Sequence, residues 1–216
     1  MRRKAARVVA SVAALAGLAA VVPFTPAMPV SGIEVEGNRV LDASRVEELT
    51  GIETGTPMGR VDVRQAAEQV AADPWVKSVT VKRDWPSNVD VAVEERTAVA
   101  YITQQDGAHL IDSDGKDFVV AEPPADAVEL VGAQVGDQEA LRGAVSVAAS
   151  ISDSSRGQIA SIEVGTYTYE LRTVDGRTVV WGAPEDNENK ALALETVLQM
   201  DGQQFNIANP QLVTSR

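Results

Sequence analysis

From Val8 to Val22 no residue is charged, and Ser11 is the only polar side chain. Arg2, Arg3, Lys4 and Arg7 precede this run, and Pro23 and Phe24 follow it. A basic flank joined to an apolar helix commits the rest of the chain to one side of a membrane. A spanning helix needs roughly 17 to 25 residues, whereas the core of a cleavable signal is about 7 to 15 long. Val8 to Phe24 lies at the border, and small residues such as Ala19, Ala20 and Ala27 suit a signal peptidase. Basic residues stay cytoplasmic, and the next after Arg7 is Arg39, so either reading places the N-terminus inside and exports the remainder.

The exported part holds 15 of the 19 basic and all 31 acidic side chains, a formal charge of −16. That charge argues against nucleic acid as a partner and against adsorption to anionic lipid, and it favours solubility. With no cysteine, the region has no disulfide, lipidated thiol, thiolate metal site or Cys nucleophile. It must be held by apolar cores, and its length suits one or two domains.

Ile33 and Val35 alternate with Glu34 and Glu36 before Gly37-Asn38, the pattern of a short strand and a turn. Ser44 and Glu47 have capping-box spacing, and Val46, Leu49 and the stop at Gly51 complete a short helix. Asp62 is placed to cap a second helix whose Val63, Ala66, Ala67 and Val70 form one stripe up to Asp73-Pro74. Val79 and Val81, a turn from Arg83 to Asn88, then Val89, Val91 and Val93 read as a hairpin. The order is β-α-α-β-β, closing near Arg96, with a domain boundary near Thr97.

Beyond it, hairpin patterns run over Val99 to Ile102, His109 to Ile111 and Phe118 to Val120, and Glu122-Pro123-Pro124 breaks them. A helix is predicted over Gln138 to Ile151, strands around Ile162 to Val164, and a second hairpin from Tyr169 to Trp181 around Asp175-Gly176. A further helix over Asn187 to Met200 leads into an extended segment, Phe205 to Ser215, read as an edge strand. The expected fold class is α+β, with an antiparallel sheet of three or four strands and flanking helices in the second domain.

No catalytic constellation emerges. His109, the one histidine, starts a strand and has no nucleophile-elbow sequence nearby. Asp112, Asp114 and Asp117 resemble the start of a calcium loop, but its twelfth position is Pro123, so a hairpin turn is expected. Glu94 and Glu95 are adjacent in a strand and point to opposite faces, which rules them out as a facing acid/base pair. Gly51, Gly55 and Gly59 lack the Lys-Ser/Thr of a phosphate loop. Trp85 and Trp181 are read as packing residues, Trp85 over the strand pair.

The same residues resemble the FtsQ/DivIB family of bacterial cell-division proteins over the whole chain. The resemblance starts with the basic flank and apolar helix and continues with Ile33-Glu34-Val35-Glu36-Gly37-Asn38, similar to the first strand and turn of the family's POTRA domain. It is strongest from Val76 to Arg96, where Arg83-Asp84-Trp85-Pro86 matches an Arg-x-Trp-Pro turn and Glu95-Arg96 a Glu-Arg ending. Gly176, Trp181 and Gly182, with Lys190 on the next helix, resemble the hairpin and helix near the end of the β-domain. Ala98 departs from the proline usual after Glu-Arg, and Phe205 to Pro210 lacks the family's common Asp and Ser.

The resemblance implies a cytoplasmic tail at 1–7, a retained signal-anchor at 8–26, a POTRA domain at 30–97 and a β-domain at 98–216. It implies a division scaffold at the septum of the plasma membrane, without enzymatic activity, cofactor, metal or small-molecule substrate. FtsB-like and FtsL-like proteins are the implied partners, with FtsW/FtsI-type synthases as further contacts. A partner strand is expected to add to an exposed sheet edge at Gln211, Leu212, Val213, Thr214 and Ser215. A POTRA factor of another export pathway is the alternative, although such factors usually bring a β-barrel or repeated POTRA units. A secreted hydrolase is the third reading.

Overall fold

The computed structural model describes residues 21–215. Of the expected membrane segment, residues 8–20 lie outside the described residues. Among the described residues no helix is long and apolar enough to cross a membrane. The chain divides into two compact units that meet at Glu95 and Arg96.

The first unit follows the expected β-α-α-β-β order: β1 (Gly32–Glu36), α1 (Ala43–Thr50), α2 (Val63–Ala71), β2 (Val76–Asp84) and β3 (Asn88–Glu95). β3 lies centrally, parallel to β1 and antiparallel to β2. Val89, Val91 and Val93 of β3 are buried while Asp90, Ala92 and Glu94 are exposed, so this strand presents one apolar face. Val46 of α1 and Ala66 and Val70 of α2 join Val89 and Val91 in the core. Asp62 caps α2 by accepting N–H bonds from Arg64 and Gln65 at 3.1 and 3.0 Å. The capping box expected at Ser44 and Glu47 is absent: α1 starts at Ala43 after Asp42, so Ser44 already sits in the first turn.

The second unit is one large mixed sheet. Its strands are β4 (Ala98–Gln104), β5 (Gly107–Asp112), β6 (Asp117–Val120), β7 (Val128–Val131), β8 (Ile159–Val164), β9 (Tyr169–Thr173), β10 (Thr178–Gly182), β11 (Gln204–Asn206) and β12 (Thr214–Ser215). Among the described residues the strand order is β12-β11-β10-β9-β8-β7-β4-β5-β6. This corrects the small antiparallel sheet expected from the sequence, because β4–β7, β7–β8 and β10–β11 are parallel pairs. Parallel neighbours need a crossover; β5 and β6 lie in the one between β4 and β7, and helices supply the other two. α3 (Gln138–Ser150) and the short α4 (Asp153–Arg156) carry the chain from β7 to β8, and α5 (Asn187–Leu198) carries it from β10 to β11.

Those crossover helices cover the sheet. Leu141, Val145 and Ala148 of α3 and Leu194 and Val197 of α5 pack with Leu130, Ile162, Leu171, Trp181 and Phe205 from the strands. Leu171 sits on a central strand and is fully buried, while Tyr167 in the preceding loop is 83% exposed. Leu171→Ala is expected to cost about 2–5 kcal/mol in chemical denaturation through lost transfer energy and a cavity. Tyr167→Ala should stay within about 0.5 kcal/mol of the parent.

Candidate partner-binding site

At the C-terminal edge of the large sheet, local sequence first fixes a rigid support. The Asp175-Gly176 turn joins β9 to β10, and the Arg177 N–H donates to Thr173 Oγ1 at 2.8 Å. Arg177 then directs its guanidinium at the Val197, Leu198 and Met200 carbonyls, 3.3–3.4 Å away, at the C-terminal end of α5 where cationic donors are favoured. The same guanidinium, helped by Thr173, holds the Asp175 carboxyl down at about 2. Trp181 is fully buried, and its indole N–H donates to Asn187 Oδ1 at 2.9 Å, tying β10 to the first turn of α5. Its role as a packing residue holds.

Gly182 and Lys190 complete the support. Gly182 has φ +80°, and a Cβ there would stand 2.8 Å from Ala208 Cβ, so the segment after β11 crosses directly over it. Lys190 is 3% exposed and donates from Nζ to the Ala183 carbonyl at 2.7 Å. Burial pushes the Lys190 ammonium below its ordinary value, against the opposing pull of Asp186 and Glu185. Gly176, Trp181, Gly182 and Lys190 therefore sit in one framework that positions α5 against β10.

On that framework rests an open edge. Thr214 and Ser215 pair antiparallel with Asn206 and Phe205, and among the described residues no strand lies beyond them. Only these two of the five residues expected at the edge form strand. Gln211 begins in a turn, with its N–H on Asn209 Oδ1 at 3.1 Å, and Leu212 N–H donates to the Asn209 carbonyl at 3.0 Å. Those local bonds divert the backbone from the sheet, which is why Gln211, Leu212 and Val213 do not extend β12. Between this turn and α5 runs a groove of about 450 Å³, lined by Asp186, Leu192 and Thr196 on one side and Pro210, Gln211 and Val213 on the other. Leu192 and Leu212 are 63% and 68% exposed. The sequence reading missed Leu192: the buried stripe of α5 takes Leu194, Val197 and Leu198, and an apolar residue off that stripe was the available signal.

The motif residues of the first unit form two other arrangements. Gly37 has φ +84°, and a Cβ would lie 2.1 Å from the Val93 carbonyl oxygen, so the turn after β1 presses against the end of β3. Asn38 donates from Nδ2 to the Leu41 carbonyl at 2.8 Å. Glu95 accepts three backbone N–H bonds from that turn, from Arg39, Val40 and Leu41 at 3.0, 2.8 and 2.9 Å. Partial burial alone would raise the Glu95 carboxyl, but the Val40, Arg39 and Leu41 amides and the Arg39 charge outweigh it and hold it below its ordinary value. Arg83 donates to the carbonyls of Met58 and Val61. Trp85, expected to pack over the strand pair, stands 49% exposed beside Pro86 at the hairpin tip. It lies in the turn beyond the ends of β2 and β3 and outside the core of the unit, which is why it does not cover the strand pair.

Arg96 opens the second unit and pairs with Asp112, whose side chain is 2% exposed. Asp112 Oδ1 also accepts the Asp114 and Lys116 N–H groups at 2.9 Å each, making it a turn staple, as the hairpin reading required. His109 has Nδ1 3.1 Å from Asp117 and Nε2 3.1 Å from Asp106, and these carboxylates raise its affinity for a proton.

The described residues thus form a two-helix β-α-α-β-β unit and a large mixed sheet with an open C-terminal edge. The POTRA domain, FtsQ-type family matches residues 28–96, and the family described as cell division protein FtsQ/DivIB, C-terminal, matches residues 100–214. The chain belongs to the FtsQ/DivIB family. The cell division protein FtsQ of Corynebacterium glutamicum is 38% identical over 197 residues, covering 89% of each chain. Those of Mycobacterium leprae and Mycobacteroides abscessus are 33% and 34% identical over 92% of this chain, which spans 59% and 64% of their lengths. The major extracytoplasmic domain of DivIB from Geobacillus stearothermophilus aligns with 47% of this chain and 87% of its own, at 19% identity and TM-score 0.36.

Because the folded Glu95 carboxyl lies below its unfolded value of 4.5, its contribution to stability is present above that pH and is lost as pH falls through the folded value. Glu95→Gln should lower the thermal midpoint at pH 7. The gap between variant and parent should close on acidification, as followed by circular dichroism.

Proposed function

We propose that this chain is a non-catalytic scaffold of the division apparatus. Its N-terminal apolar segment holds it in the plasma membrane at the septum, with the tail cytoplasmic and both domains outside. Its β-domain receives a strand from an FtsB-like or FtsL-like partner, and the assembly supports FtsW/FtsI-type septal peptidoglycan synthases. The observation that carries this reading is the open β12 edge beside the Leu192 groove.

Magnitudes divide the work between backbone and side chains. Two paired residues offer only a few ladder hydrogen bonds, each worth about 0.5–1.5 kcal/mol net. Burying what remains exposed of Leu192, Leu212 and Val213 contributes about 1–2 kcal/mol for each leucine and less for Val213, so apolar contact adds to the affinity while the strand edge fixes register. A strand added at β12 also draws Gln211 to Val213 out of their local turn.

Deleting Gln211 to Arg216 should abolish co-purification with the FtsB-like and FtsL-like proteins of the same cell, and Leu192→Glu should weaken it more than Thr214→Ala. Unchanged recovery of both partners after the deletion contradicts the assignment.

A further inference from the structure

Three segments of the POTRA unit converge where the apolar run ends. The first is the emerging chain itself, a short 3-10 turn at Val22–Phe24 followed by Thr25 to Val30. The second is the loop holding the 3-10 turn Met58–Arg60: Met58 N–H donates to the Met28 carbonyl and Val30 N–H to the Thr56 carbonyl, at 2.9 and 2.8 Å. The contact continues back to Phe24, because a Cβ on Gly59 would stand 2.9 Å from Phe24 Cδ1. The third is the β2–β3 tip. Ser31 N–H donates to the Ser87 carbonyl at 2.7 Å, and Arg83, two residues before Trp85, binds the Met58 carbonyl at 2.9 Å.

At this end of the unit three large apolar side chains face outward, while Met58 and Val30 are buried. Phe24 is 51% and Trp85 49% exposed, and Val21 is 59% exposed. Trp85 does not line the core of its unit, which closes without it. An exposed Trp at a proline turn, fastened to the stretch of chain that leaves an apolar segment, has the chemistry of the membrane interface. There an indole keeps its ring among acyl carbons and its N–H among headgroups. Local charge is mixed, with Arg60 and Asp84 both exposed, so electrostatic attraction is not what would hold this tip.

We propose that the Trp85-Pro86 tip and Phe24 form a shallow lipid-facing foot that rests the POTRA domain on the outer surface of the bilayer. The proposal rests on the membrane-anchored reading of the N-terminal segment. It gives the Arg-Asp-Trp-Pro turn two roles: Arg83 fastens the hairpin to the Met58–Val61 loop that holds the emerging chain, and Trp85 meets lipid. An aromatic foot beside the anchor fixes the tilt and height of the domain above the membrane, which a flexible tether would leave free.

The full chain, reconstituted in phosphatidylethanolamine/phosphatidylglycerol vesicles with or without bromine on the upper acyl carbons, tests this by tryptophan emission. Flotation with the vesicles reports the anchor separately. The expected result is flotation of both the parent and Trp85→Phe, quenching of the parent by the brominated lipid, and loss of that quenching in the variant. Far-ultraviolet circular dichroism should be unchanged. Flotation with no quenching of the parent, or with equal quenching in Trp85→Phe, overturns the lipid-facing foot while leaving the anchor intact. Failure of the parent to float overturns both.

Discussion

Everything at the C-terminal end of this protein depends on one crossover, in which α5 leaves β10, covers the sheet and returns as the parallel strand β11. Parallel pairing cannot be made by a tight turn, so the position of β11, and of β12 beyond it, is only as firm as the packing of that helix. Buried Trp181, its bond to Asn187, the Arg177 cap at the other end and the buried Lys190 ammonium together pin α5 at both ends. Trp181, Gly182 and Lys190 of the family motif are thus internal braces. The exposed groove and edge beside them are made by other residues: Leu192, Leu212 and the two-residue β12.

The first unit uses the same economy at a smaller scale. Glu95 at the end of β3 gathers three amides of the turn after β1, and the neighbouring Arg96 commits to Asp112 in the second unit. Adjacent residues in one strand point to opposite faces, a geometry that excluded catalytic pairing of Glu94 and Glu95. Arg96 lies just past the end of β3 and belongs to the second unit, so the Glu-Arg pair serves two separate packing environments. The carboxylate on the turn amides is strong because all its partners are fixed backbone donors.

Sequence periodicity carried the first unit almost entirely. Val63, Ala66, Ala67 and Val70 announce α2, and the valine alternation of β2 and β3 announces their hairpin, because both patterns are local. Sheet order in the second unit was not legible. Val128–Val131 is too short to signal a strand, and nothing local distinguishes a flanking helix from a crossover. Capping also misled at α1, where Ser44 and Glu47 have the right spacing but the helix starts at Ala43, while the amides just upstream are held by Glu95, distant in sequence. At the edge, Asn209 recaptured the Gln211 amide, a local competitor that an extended pattern does not reveal. Family membership explains why the motifs recur, and the physical contacts explain what each one holds.

In the proposed role, β12 is an open template for a partner strand. Amide hydrogen exchange of residues Val213 to Ser215, measured before and after adding the extracytoplasmic segment of an FtsB-like partner, addresses it directly. Pairing along the outer edge predicts strong slowing at these amides on binding, together with slowing at Gln211 and Leu212 as their turn joins the sheet. Saturated binding that leaves exchange across Gln211 to Ser215 unchanged contradicts strand addition at this edge.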